Sequence, residues 1–302
     1  MRYVSSSVLT TWSEYIDQIQ FIDRADNTYY NLAGISMISA IFGDSNVQMN
    51  MPLTSFANYW DKILSLNGSF KTEMNQHAED CQYTSYIDTY LQFPPLQIAF
   101  PRLDYPDTYS HCDFLLPIHD AAAAVNPCFS WYAVNQQCPT LWSVLGPADG
   151  SQYVPPGQKD YFDRPDVQAA IHVDVGTNWT ECSPYVFRDP ETGELNPGDG
   201  YSMPPALNGI LQKVIEYTNN TIFGSGNLDM LIPTNGSLLA LQNLTWNGLQ
   251  GFQQYPGREF FVPYHREYNQ GAMAGAGVVG KWGVERGVTF YQVQLAGHEL
   301  PR

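Results

Sequence analysis

Three short strand-like segments, separated by stretches with helical periodicity, constrain the fold of this chain more than any other feature. The first, at residues 32–42, is almost continuously apolar and rich in isoleucine, which is typical of a strand buried on both faces of a parallel sheet. Residues 221–232 suggest a strand, a glycine-rich loop and a second strand-like run, and residues 288–295 form another β-rich run. Because strands and helices alternate along the chain, we predict an α/β fold with a mostly parallel sheet and helices on both faces.

Amphipathic patterns predict the helices between these segments. Residues 8–19 place large apolar side chains at helical spacing, with serine, threonine and acidic residues between them. Residues 207–217 carry a similar apolar stripe, and residues 238–244 also favour a helix. Pro165 stands where the first turn of a helix tolerates proline, so a further short helix is predicted there.

The stretch from residue 52 to residue 160 differs from the rest of the chain. Proline recurs throughout it, its helical patterns are short, and four of the five cysteines lie between positions 81 and 138. A proline-rich, cross-linked stretch of this size is typical of an insertion or cap. We therefore predict core segments at residues 1–51 and 161–302 and a cap segment at residues 52–160.

The charge and the apolar pattern exclude several classes of partner. The chain has 14 Lys and Arg against 30 Asp and Glu, which gives a formal net charge of −16. Such an acidic surface repels phosphate backbones and anionic headgroups, so nucleic-acid and membrane partners are not expected. No run approaches ~18 consecutive apolar residues, and the first residues lack the apolar core of a signal peptide.

Cysteines and glycosylation motifs indicate an oxidising compartment. None of the five cysteines has C-x-x-C or zinc-like spacing, so a metal site is not expected. Four of the five could form two disulfides, and Cys182 would then be the unpaired fifth. The four are Cys81, Cys112, Cys128 and Cys138. Candidate N-glycosylation sites lie at Asn67, Asn178, Asn219, Asn235 and Asn243. Together these features predict a secreted or vacuolar glycoprotein; since such a protein should carry a signal peptide, we expect the beginning of this one to be missing.

Two residues with catalytic chemistry follow predicted strands. Asp229 lies in a glycine-flanked loop after the strand that begins near residue 221, and His298 follows the strand at 288–295 through Ala-Gly. Ligand and catalytic groups concentrate at the carboxyl edge of open α/β sheets. An Asp followed by a His, each on a post-strand loop, has the chain order of the α/β-hydrolase triad, in which the Asp orients the His and the His deprotonates a serine.

The nucleophile of such a triad should precede both residues in a G-x-S-x-G elbow. No serine of the chain has glycine both two residues before and two residues after it. Ser45 and Ser202 each have only the preceding glycine, and Ser225, despite its G-S-G context, lacks both outer ones. The sequence therefore predicts two members of a triad and no nucleophile.

Several segments together resemble the serine carboxypeptidase family, especially the fungal branch similar to carboxypeptidase S1. In chain order they are NPCFSWYAVNQQCPTLWSVLG at 126–146, YFDRPDVQAAIHV at 161–173, GSGNLDMLIPTNGSLLALQNLTWNGLQGF at 224–252 and WGVERGVTFYQVQLAGHELP at 282–301. The resemblance covers nearly the whole chain. It implies an α/β-hydrolase fold, incomplete here, with a mainly helical, disulfide-stapled cap, and it implies no cofactor.

The resemblance also implies roles for individual residues. Asp229 and His298 match the triad aspartate and histidine, and Glu299 matches a position that lines the substrate site. Cys182 matches a cysteine that bonds to one near the family's N-terminus. The four cap cysteines could pair in a nested way, Cys81 with Cys138 and Cys112 with Cys128, or sequentially, and both alternatives remain open.

The departures from the family pattern predict a chain that is truncated at both ends. A GESYAG-type elbow would stand just before residue 2, a WNGGP-type oxyanion segment would lie further upstream, and a final helix would follow the GHxxP motif; none of these is in the chain. Losing one triad member or oxyanion donor costs ~10²–10⁶-fold in turnover, so we expect the chain alone to be inactive.

The function expected from the resemblance is that of a serine-type carboxypeptidase, which releases C-terminal amino acids from peptides or proteins through an acyl-enzyme. Two alternatives remain open at this point. One is a non-catalytic pseudoenzyme or truncated binding protein, and the other is an acyltransferase-like member of the same fold.

Overall fold

A computed structural model describes residues 32–103, 110–139, 160–179, 204–264 and 276–299. The strands of its main sheet are β1 (Ile35–Ile38), β2 (Thr221–Gly226), β5 (Arg258–Val262), β6 (Gly277–Glu285) and β7 (Val288–Val293). Their order in the sheet is β1-β2-β7-β6-β5. A separate antiparallel pair is formed by β3 (Thr245–Trp246) and β4 (Leu249–Gln250).

The main sheet is half parallel and half antiparallel in the part of the chain that is described. Strands β1, β2 and β7 pair in parallel, as the alternation of strands and helices predicted. Strands β5, β6 and β7 pair antiparallel. The turn from β6 to β7 consists of Arg286 and Gly287, both with positive φ, and a two-residue hairpin of this kind joins antiparallel strands only. The α/β fold class is therefore confirmed, with a sheet that is mixed where a mostly parallel one was predicted.

Eight α-helices lie in the described residues, five of them in the predicted cap segment. These five are α1 (Leu53–Tyr59), α2 (Asp61–Leu64), α3 (Gly68–Asp80), α4 (Tyr83–Tyr90) and α5 (Leu115–Ala123). The others are α6 (Pro165–Ala170), α7 (Ile210–Thr218) and α8 (Thr234–Gln242). Short helical turns at Asn46–Asn50, Ser110–Cys112 and Tyr161–Asp163 complete the set. No helix among the described residues has the length and apolar character needed to cross a membrane.

The predicted helices are found close to their expected positions. Helix α6 begins at Pro165, α7 begins three residues after the predicted start at residue 207, and α8 begins four residues before the predicted start at residue 238. The strand-like run up to Ile232 is not a strand, because the chain turns directly after β2. The helix predicted at residues 8–19 lies outside the described residues.

The apolar interior contains two buried clusters. One lies between the sheet, α7 and α8 and includes Phe223, Trp246 and Phe290. The other lies within the cap segment and also includes Leu228 and Met230, which follow β2. The cap segment is therefore packed against the loop that leaves the carboxyl end of β2. The boundaries at residues 52 and 160 remain predictions.

The disulfides follow the sequential alternative. Cys81 is bonded to Cys112, and Cys128 is bonded to Cys138. The first bond joins the end of α3 to the turn before α5, and the second closes a loop of the cap segment. Cys182 lies outside the described residues.

Candidate active site

Strand β2 delivers Asp229 to the carboxyl edge of the sheet. The chain turns after Gly226, where the Asp229 amide donates to the Gly226 carbonyl at 3.3 Å. The Asp229 side chain is fully buried, and its Oδ1 accepts a hydrogen bond from the Ile232 amide at 3.0 Å. A buried carboxyl group needs partners for both of its oxygens, and this bond satisfies the first.

Strand β7 delivers His298 to the same edge, because β7 is the parallel neighbour of β2. The distance from His298 Nδ1 to Asp229 Oδ2 is 2.9 Å, and the imidazole side chain is 25% exposed. With a carboxylate as its partner, Nδ1 carries the hydrogen, which leaves the lone pair of a neutral imidazole on Nε2. The geometry is therefore that of an aspartate that orients a histidine for proton transfer at Nε2.

The two loops can approach this closely because they carry glycines. A Cβ built on Gly226 would collide with the carbonyl oxygens of Ala296 and Gly297, both of them backbone atoms. The loops are also joined directly, since the Leu228 amide donates to the Ala296 carbonyl at 2.9 Å. The amide of Leu295 donates to Asn227 Oδ1 at 2.7 Å. The sequence prediction included the small residues beside His298 and the glycines that flank the Asp229 loop, of which Gly226 is one, but it did not include Asn227.

A segment of the predicted cap packs against both loops. The Tyr132 carbonyl accepts the His298 amide at 2.7 Å, and the two rings lie 5.2 Å apart between centroids. The Trp131 carbonyl accepts the amides of Met230 at 2.9 Å and Leu231 at 3.2 Å. Sequence reasoning missed Tyr132, because backbone carbonyls make these bonds and leave no side-chain motif. The sequence feature that could have indicated this segment was the run at 126–146, which is one of the segments on which the family resemblance rests.

Glu299 follows His298 directly and is exposed. Nothing in the described residues tests its role in binding substrate, which stays a prediction.

One group of side chains in the described residues has the donor atoms of a metal site. The donor atoms of Cys81, His111 and Cys112 lie within 4.8 Å of one another. The two sulfurs are joined in a disulfide, and metals bind cysteine as the thiolate.

The five candidate glycosylation sites all lie in the described residues. Four of these asparagines are exposed: Asn67, Asn178, Asn219 and Asn235. Asn243 is half-buried, and its Oδ1 accepts the Phe100 amide at 2.9 Å. The first four are therefore the more accessible candidates.

The chain matches known proteins over nearly its whole length. The family model described as serine carboxypeptidase matches residues 9–302. A probable serine carboxypeptidase from Arthroderma benhamiae is 34% identical over 99% of the chain and 54% of its own length. A serine-type carboxypeptidase F from Aspergillus niger is 34% identical over 93% of the chain and 54% of its own length. The chain thus spans about half the length of the curated relatives it matches.

A solved structure supports the fold. The crystal structure of a prohormone-processing carboxypeptidase from Saccharomyces cerevisiae is similar with a TM-score of 0.57 and 16% sequence identity. The similarity covers 98% of this chain and 57% of the crystallised yeast chain.

Proposed function

Because this chain belongs to the serine carboxypeptidase family, we propose that it is part of a serine-type carboxypeptidase that releases C-terminal amino acids from peptides and proteins. The observation that carries the proposal is the 2.9 Å contact between His298 Nδ1 and the buried Asp229 Oδ2 at the carboxyl edge of the sheet. It joins the two residues that, in chain order, follow the nucleophile of an α/β hydrolase.

In the proposed reaction His298 moves protons and Asp229 keeps the imidazole oriented. His298 Nε2 accepts the proton of a serine hydroxyl as the serine oxygen attacks the last peptide carbonyl. The imidazolium then donates that proton to the nitrogen of the departing amino acid as the peptide bond breaks. Water, deprotonated by His298, attacks the carbonyl of the acyl-enzyme. The bond from that carbonyl to the serine oxygen then breaks, and the imidazolium returns the proton to the serine oxygen, which releases the shortened peptide and restores the free serine.

The nucleophile is the part of the proposal that this chain does not supply. No serine of residues 1–302 stands in a G-x-S-x-G context, and the chain spans about half the length of the relatives it matches. We therefore propose that the serine lies in sequence outside these residues and that residues 1–302 alone do not hydrolyse peptides. In the complete enzyme Glu299 is proposed to contact the substrate.

The proposed location is secreted or vacuolar. The support is the pair of disulfides, Cys81–Cys112 and Cys128–Cys138, together with four exposed N-x-S/T asparagines. Disulfides persist in oxidising compartments, and N-glycosylation takes place on the secretory route. The proposed partners are peptide and protein C-termini.

The test compares residues 1–302, the native protein purified from its source, and the native protein with the substitution His298→Gln. Intact mass and N-terminal sequencing define the native chain, release of amino acids from N-blocked dipeptides measures activity, and a fluorophosphonate probe labels a reactive serine. We expect the native protein to be longer, to release the C-terminal amino acid and to be labelled on an elbow serine. We expect the His298→Gln variant to lose ~10³-fold or more in kcat.

Other outcomes would contradict the proposal in different ways. A native chain that starts at residue 1 or 2 and neither cleaves nor labels would indicate a pseudoenzyme. Acyl transfer to a non-water acceptor with no release from dipeptides would indicate an acyltransferase. Hydrolysis by residues 1–302 alone would show that a serine outside a G-x-S-x-G context is the nucleophile.

A further inference from the structure

We propose that Tyr132 is a positioning residue that fixes the plane of the His298 imidazole, an inference that rests on the proposed function. Tyr132 contacts His298 twice. Its carbonyl accepts the His298 amide at 2.7 Å, and its ring lies 5.2 Å from the imidazole between centroids, tilted by 59°. The first contact holds the backbone of His298 and the second holds its side chain.

The imidazole needs this second contact because its bond to Asp229 leaves one motion free. A single hydrogen bond of 2.9 Å from Nδ1 to Oδ2 fixes one point of the ring. The ring is also attached through Cβ, so its position is set by the torsions χ1 and χ2. One hydrogen-bond length restrains the two torsions together and not each one, so a coupled rotation about both bonds can still move Nε2 relative to a substrate. A second ring packed against the imidazole opposes that rotation, because turning the imidazole drives its edge into the neighbour.

Tyr132 is suited to this role because its loop is anchored to the Asp229 turn as well. The Trp131 carbonyl accepts the Met230 and Leu231 amides, and the Val134 amide donates to the Leu228 carbonyl at 3.1 Å. These three bonds hold residues on both sides of Asp229. The segment at 131–134 therefore positions both members of the Asp-His pair against one common support.

The support itself is cross-braced. The Cys128–Cys138 disulfide closes the loop, and the Asn126 side chain donates to the Gln136 carbonyl at 2.7 Å. The amide of Tyr132 donates to Ser130 Oγ at 3.2 Å. A loop with this many internal bonds moves little, which is what a group that fixes the position of a catalytic side chain requires.

The test substitutes Tyr132 by Ala and by Phe in the native protein. Tyr132→Ala keeps the carbonyl and removes the ring, so we expect kcat to fall about 10²-fold, in line with a displacement of ~1 Å at a reacting group, while KM changes less than about twofold. Tyr132→Phe keeps the ring, and we expect its kcat to stay within about threefold of the unchanged protein, since the packing contact is preserved.

Tyr90→Ala is the matched control. Tyr90 is half-buried in the predicted cap segment and packs on Tyr86 and Phe100 with centroids 4.6 and 4.7 Å away. The same side-chain atoms are removed, so the loss of stability should be similar, and kcat should not change. A fall in kcat for Tyr90→Ala equal to that for Tyr132→Ala would show a general effect of lost cap packing and would overturn the inference.

A crystal structure of Tyr132→Ala separates this inference from the proposed function. We expect the imidazole of His298 to occupy a second orientation in which the ring plane is turned and Nε2 is displaced by about 1 Å, while Nδ1 stays within hydrogen-bonding distance of Asp229 Oδ2. An imidazole that keeps its single orientation would overturn the inference even if the protein is a carboxypeptidase. A native protein without peptidase activity would instead contradict the proposed function, while the crystal structure would still test the contact.

Discussion

The substitution Gly226→Ala tests whether the Asp-His pair depends on the close approach of two backbone loops. The new Cβ would lie less than 3.0 Å from the carbonyl oxygens of both Ala296 and Gly297, a separation that real Cβ atoms essentially never show. Because both obstacles are backbone atoms, the loop that carries His298 has to move by about 1 Å to restore ordinary contact. Such a shift disturbs the 2.9 Å bond between Asp229 and His298.

The expected magnitude combines two opposing effects on stability. Overpacking of this kind costs about 1–3 kcal/mol, and replacing glycine by alanine recovers about 0.4–1 kcal/mol by restricting the unfolded chain. We therefore expect a net loss of about 1–2 kcal/mol in the free energy of unfolding. We expect kcat to fall about 10²-fold, because a displacement of ~1 Å at a catalytic group costs that much.

The assay is urea unfolding together with amino-acid release by the native protein, and Gly68→Ala is the matched control. Gly68 is the first residue of α3, and a Cβ there meets no atom within 4 Å. The change in the unfolded chain is the same in both variants, so Gly68→Ala should be neutral or slightly stabilising, with unchanged kcat. If Gly226→Ala matched Gly68→Ala in urea midpoint and kcat, the steric argument for the glycine would be refuted.

Three further outcomes are expected. Asp229→Asn keeps the shape of the side chain and removes its charge, so kcat for release from blocked dipeptides should fall about 10⁴-fold with little change in KM. A fall in kcat smaller than that caused by Asn227→Ala would contradict the proposal that Asp229 orients His298. Replacing both Cys81 and Cys112 by serine should lower the free energy of unfolding by about 3–4 kcal/mol in urea titrations, and kcat should be retained because that disulfide is not in the loop that holds His298. Burial first, and then the charges of Tyr90 and Asp44, raise the pKa of the Tyr86 phenol above its ordinary value. The contribution of Tyr86 to the free energy of unfolding is therefore complete below pH ~10 and decreases above that pH. Between pH ~8 and ~10.5, the free energy of unfolding should fall less for Tyr86→Phe than for the unchanged protein.

The sequence predicted those strands and helices in which buried side chains recur at a regular spacing. The apolar run at residues 32–42 contains β1, and the run at 288–295 contains β7; each strand begins with buried side chains that alternate with partly buried ones. The pairing of Asp229 with His298 was also predictable, since both residues follow strands and the carboxyl ends of parallel strands meet at one edge.

The antiparallel half of the sheet was not predicted. Strand β6 contains three glycines, a lysine and a glutamate, and much of it is only partly buried, so it lacks the apolar run that identified β1. Strand β5 lies at the edge of the described sheet and exposes Phe261. Such strands form because a hairpin pairs them with a neighbour, and pairing of this kind leaves little periodicity in sequence.

The run that precedes Ile232 shows why composition alone misassigned a strand. Leu228, Met230 and Ile232 alternate with other residues and are buried, as in a strand. Here the alternation arises because a tight turn inserts Leu228 and Met230 into the cluster formed by the predicted cap segment, while the Ile232 amide bonds to Asp229 Oδ1. The tertiary partner, and not the local chain, determines the structure of this segment.

The same arrangement makes the predicted cap segment a structural partner of Asp229 and His298. Leu228 and Met230, on either side of Asp229, are buried in the cap cluster and not in the cluster beneath the sheet. Their amide and carbonyl groups bond to the segment at 131–134, which also holds His298 through Tyr132. The sheet brings Asp229 and His298 to one edge, and the cap fixes them there. A variant of the cap segment therefore keeps Asp229 and His298 in place only if it retains a buried surface for Leu228 and Met230 and a backbone carbonyl for the His298 amide.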